Sequence, residues 1–139
     1  MRQVMYTTCC TLLAVAFGGS AHAQTSAVEL NAVTNACLVS DAECQTAVTN
    51  YLTGLRSANL PTADYNRAVA DLVVALATTA NDDAECNDED RRFATAISYS
   101  GTLSDDPAQA QLINDISDAV AACTEIRTAA LTAEAASAN

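Results

Sequence analysis

Between Asn81 and Phe93 the chain reads NDDAECNDEDRRF, which sets six carboxylates around one cysteine within nine residues. Carboxylates at that density are hard oxygen ligands and could hold a calcium ion. A cysteine among them could take part in redox or soft-metal chemistry. The candidates for weak calcium binding are Asp82, Asp83, Glu85, Asp88 and Asp90. Their spacing does not close a regular calcium loop, which needs ligands at positions 1, 3, 5 and 12 and glycine at 6. Counting from Asp82 puts Ala84 at the third position; counting from Asp83 puts Asp88 at the sixth and Ala94 at the twelfth. A simpler account needs no ion. Acids in the first turn of a helix are favoured by its dipole, and Asn87 ahead of Asp88-Glu89-Asp90 is a good helix cap. The stretch reads as a solvated helix start that requires no metal and no cofactor.

The first residues, MRQVMYTTCCTLLAVAFGGSAHAQ, have the pattern of a secretory signal: Arg2, an apolar run from about Cys9 to Phe17, then Ala21-His22-Ala23 before Gln24. The apolar run is far shorter than the roughly 20 residues that span a bilayer. The expected organisation is a cleavable signal over 1–23, cut after Ala23, and a single helical domain over 24–139 with 134–139 frayed. Such a protein is periplasmic or secreted, with no membrane attachment once the signal is gone.

Cleavage removes the chain's one histidine, His22, and there is no lysine or tryptophan. With Arg2 gone, five arginines face 17 acidic residues, more negative still than the −11 of the whole chain. That balance repels nucleic acid and anionic lipid and favours a basic protein as partner. Serine, threonine and tyrosine hydroxyls lack a histidine or lysine base. Carboxylate pairs such as Asp115/Asp118 read as an exposed helix face, and Asp71 as a surface partner of Arg67. No catalytic residue stands out, so the expectation is not an enzyme.

These residues must be positioned by helices, whose starts are well marked. Ser26–Glu29 and Ser40–Glu43 have the capping-box pattern, Asp106-Pro107 pairs a cap with proline at the first helical position, and Pro61 marks another start. Gly101 reads as a helix stop. Apolar residues recur at helical spacing, as in Tyr65, Val69, Leu72, Val73 and Leu76, and again in Leu112, Ile116, Ala119 and Cys123. The predicted helices are 27–37, 41–57, 62–80, 87–100 and 107–133.

Short loops make successive helices antiparallel. The fold class is therefore all-α, a small disulfide-stapled bundle of four to five helices in up-down hairpins. Cys37 and Cys44 flank the turn at Ser40, while Cys86 and Cys123 lie at similar distances from the last turn. The predicted bridges are Cys37–Cys44 and Cys86–Cys123, worth about 2.5 and about 4 kcal/mol on a chain-entropy account. No C-x-x-C motif competes with that pairing.

The functional expectation is an exported, non-catalytic binding module with an acidic surface that engages another protein. The alternatives are an acid-responsive periplasmic chaperone, in which carboxylates neutralise together, and a weakly calcium-dependent structural protein. The pattern fixes no oligomeric state.

Overall fold

The computed structural model describes residues 21–80 and 87–124. They form five helices: α1 (Ala21–Val39), α2 (Asp41–Ser57), α3 (Thr62–Ala80), α4 (Asp88–Thr102) and α5 (Pro107–Ala121). The protein is an all-α bundle, with no strand among the described residues. Cys37 and Cys44 form the expected disulfide across the α1–α2 turn. Cys123 is disulfide-bonded as well; the pairing predicted for it, with Cys86, lies outside the described residues, as do Asp82, Asp83 and Glu85.

Each start has a local cause. Ser40 is extended, and its hydroxyl accepts from the Glu43 amide at 3.2 Å. Asn87 accepts from the amides of Glu89 and Asp90, while Asp90 returns the bond by accepting from the Asn87 amide at 2.8 Å. That closes a complete capping box. Asp106 caps α5 through the amides of Ala108 and Gln109. The sequence reading placed α2 and α3 at their observed bounds.

The ends of the chain differ from expectation. α1 begins at Ala21, so Ser26 lies within the helix instead of capping it. Alanine's high helix propensity carries the backbone past that serine. α5 ends at Ala121 rather than 133. There Cys123 takes a left-handed conformation, φ 51°, and the Cys123 and Thr124 amides donate back to Val120 and Ala119. This is a Schellman stop, which terminates the helix whatever apolar spacing follows. Gly101, expected to end α4, lies buried inside it.

α3 and α4 are the central elements, each packing against all four other helices. Leu72, Leu76, Phe93, Ile97 and Ile113 are among the fully buried side chains. The inward face of α5 is Gln109, Ile113, Ile116, Ser117 and Val120; it keeps Ile116 of the predicted seam, while Leu112 and Ala119 are only half-buried at its edge. The core is partly polar. Gln109, wholly buried, donates to the Asn66 carbonyl at 2.8 Å and accepts from Ser104 at 2.6 Å. Ser117 donates across to the Ala94 carbonyl, stitching α5 to α4.

Candidate interaction site at the stapled end of the bundle

The up-down course gathers the C-terminus of α1 and the N-termini of α2 and α4 at one end. α2 and α4 run parallel there: residues 41–48 of the first line one groove with residues 88–99 of the second. The groove has a volume of about 590 Å³, with a floor that includes Cys44, Val48, Ala96 and Tyr99 and a mouth carrying Asp41, Asp88, Arg91 and Arg92.

Arg92 fixes the corner. Its Nε donates to Asp41 Oδ1 at 2.6 Å and its Nη1 to the Cys37 carbonyl at 2.7 Å. That carbonyl is in the last turn of α1, where the helix has no further amide to offer it and a cation is favoured. Arg91 instead pairs with Asp88 on its own helix at 2.7 Å, both well exposed. Arg91 thus balances an acid of its own helix, whereas Arg92 takes its carboxylate from another helix.

The two described calcium candidates do not converge. Asp88 faces solvent on the Arg91 pair, whereas Asp90 is buried and committed to the Asn87 amide, with Cys123 Sγ 3.8 Å from its Oδ2. Among the described residues, no three histidine, cysteine or acidic side chains are grouped to share a metal ion. Asp115 and Asp118 are exposed on α5.

Asp71 and Arg67 do not form the expected ion pair; the pairs among the described residues are Arg56–Asp105, Arg91–Asp88 and Arg92–Asp41. Arg67 acts on Asp71 only through its field. Partial burial raises the Asp71 carboxyl above its usual range, and Arg67 pulls it back. Burial, reinforced by Asp71 and Glu29, pushes the Tyr51 phenol up to about 12.

The sequence reading also passed over Leu38 and Val39. Both are exposed in the last turn of α1, immediately before the capping Ser40. Val39 lies away from the face of α1 that buries Val33 and Cys37, while Leu38 stands at the edge of that face, one turn after buried Thr34. The opposite end of the bundle has its own clasp. Arg56 donates to the Tyr65 hydroxyl at 3.2 Å and to the Leu103 carbonyl at 2.9 Å, and Tyr65 donates to the same carbonyl at 2.9 Å.

No protein-family model matches this chain, and no curated protein or solved structure matches it. What the site can do must therefore be read from its own chemistry. It offers mixed polar and apolar surface, with Asp41 and Asp88 set against Arg91 and Arg92 at the groove, and no described nucleophile stands beside a base. No described helix is long and apolar enough to cross a membrane.

Proposed function

We propose that this chain is an exported, non-catalytic binding module whose acidic helical surface engages another protein of basic character. The observation that carries the reading is the stapled end of the bundle, where the first turns of α2 and α4 hold Asp41, Glu43, Asp88 and Glu89 outside the core beside two arginines. Fixed charge on a rigid scaffold speeds encounter with an opposite charge and selects against like-charged partners. Export is supported by the signal-like first 23 residues and by the Cys37–Cys44 bridge, since disulfides persist in oxidising compartments. The periplasm or the exterior is the proposed location, with Gln24 as the mature N-terminus.

The test compares two behaviours of the purified protein. A binding module keeps its helical fold at pH 3 and binds little hydrophobic dye at pH 3 or pH 7. A protein of basic surface cross-linked to it in the native envelope should lose about tenfold or more in affinity between low and physiological salt. Strong dye binding at pH 3, with protection of a client from aggregation, would instead establish the acid-chaperone reading.

A further inference from the structure

We infer that the Leu38–Val39 tip is the apolar anchor by which this chain docks its partner, a protein offering an apolar socket rimmed by arginine or lysine. The inference rests on the binding-module reading above and locates its contact. It begins from a mismatch between residue type and environment. α1 buries Val33 and Cys37, yet Leu38 and Val39 in its last turn are 44 % and 65 % exposed. The other large apolar side chain exposed among the described residues, Leu60, follows α2 at the opposite end. The parts of these side chains left in water contribute nothing to the fold, whereas their removal from water on docking is favourable in proportion to area.

The tip is also held ready. The Cys37–Cys44 bridge closes the turn beneath it, Ser40 caps α2 beside it, and Arg92 grips the Cys37 carbonyl. Little ordering is left to be done on binding, which is how a small anchor contributes efficiently. An apolar centre within a polar rim is the usual anatomy of an energetically important contact.

Charge selects the occupant. Glu43 and Glu89, in the first turns of α2 and α4, are outside the core and outside the ion pairs that engage Asp41 and Asp88, and the groove between those helices opens at Asp41, two residues after Val39. A second copy of the chain would bring carboxylate against carboxylate, and an anionic bilayer would do the same. A basic rim is complementary.

Two synthetic helical peptides of equal length and charge serve as probes of the full purified chain, one carrying leucines among its lysines and the other serines in their place. The leucine peptide should bind about tenfold tighter, as expected for one buried anchor. Its backbone-amide NMR shifts should centre on Leu38, Val39, Glu43 and Glu89. Leu38→Ser with Val39→Ser should abolish the tenfold difference and leave the serine peptide's affinity unchanged. If the double variant loosens the helix, Val39→Ser alone carries the comparison, because that side chain is the more exposed. A variant that still discriminates, or shifts centred elsewhere, would overturn the anchor. Equal binding of both peptides to the native chain would sink the anchor and leave the acidic module standing, while binding of neither would sink both. Tip-dependent binding to zwitterionic vesicles, or tip-dependent dimerisation, would likewise overturn the assignment to a basic protein.

Discussion

Arg92 and Asp41 stand 51 residues apart in the chain and meet at 2.6 Å, with Arg92 20 % and Asp41 87 % exposed. The unequal burial decides what each contributes. Arg92 is held between a carboxylate and the Cys37 carbonyl, so removing it strands a helix end. Arg92→Ala should destabilise the bundle by about 1.5–3 kcal/mol, the range for hydrogen bonds to a charged group. Asp41→Ala should cost less than about 1 kcal/mol, because that carboxylate returns to water. Arg92→Lys should recover only part of the loss, since an ammonium cannot reproduce the planar fork. Denaturant unfolding of the three variants checks the order.

The Cys37–Cys44 bridge closes a short loop, with a sequence separation of seven. Cys37→Ala with Cys44→Ala should lower stability by about 2.5 kcal/mol. The loss should arise without change in helix content by circular dichroism, because Ser40 still caps α2.

The two described glycines should respond in opposite directions. A Cβ at Gly54 meets nothing within 4 Å, so Gly54→Ala gains helix propensity and should stabilise by about 0.5–1 kcal/mol. A Cβ at Gly101 would lie 3.0 Å from Ile113 Cγ2 and 3.4 Å from its Cβ. Ile113 is completely buried and β-branched, with little room to yield. Overpacking should outweigh the propensity gain, and Gly101→Ala should cost about 1–3 kcal/mol. Thermal melts of the pair decide it.

Stability should vary with pH at both extremes. The Tyr51 phenol, raised from 10.0 to about 12, stays neutral in the fold while the unfolded chain's phenol ionises. Its contribution is whole below pH 10 and is lost as pH climbs towards 12. Tyr51→Phe should flatten that alkaline decline. The Asp71 carboxyl is raised as well, so its ionised form opposes folding at neutral pH. That opposition disappears as pH falls through the raised value. Asp71→Asn should therefore melt higher than the native chain at pH 7 and lose the advantage near pH 3.

Local chemistry explains why so much of the helical frame could be read in advance. Ser40 and Pro61 punctuate the chain, and the apolar face of α3 repeats without interruption, so α2 and α3 needed no tertiary information. Gln109 shows where that reading runs out. In sequence it completes a capping pattern with Asp106, but in the fold it turns inward to Asn66 and Ser104, and a polar core residue leaves no apolar periodicity to detect. The end of α5 was misjudged for a related reason: a cysteine, not a glycine, adopts the left-handed stop. At the site, the Arg91–Asp88 pair is local, three residues apart on one helix. The reach of Arg92 depends on α2 and α4 lying parallel, a relation that local spacing cannot express.

The Arg56–Tyr65–Leu103 clasp makes the two ends of the molecule mechanically unequal. A turn between helices is ordinarily where amide hydrogens exchange first, because its carbonyls and amides open without disturbing the rest. Here the Leu103 carbonyl accepts from side chains on α2 and α3 at once, so freeing the α4–α5 turn means detaching it from both. That end behaves as part of the global unfolding unit. At the other pole a covalent bond holds the α1–α2 turn, so the two turns differ in what releases them: global unfolding for one, reduction for the other.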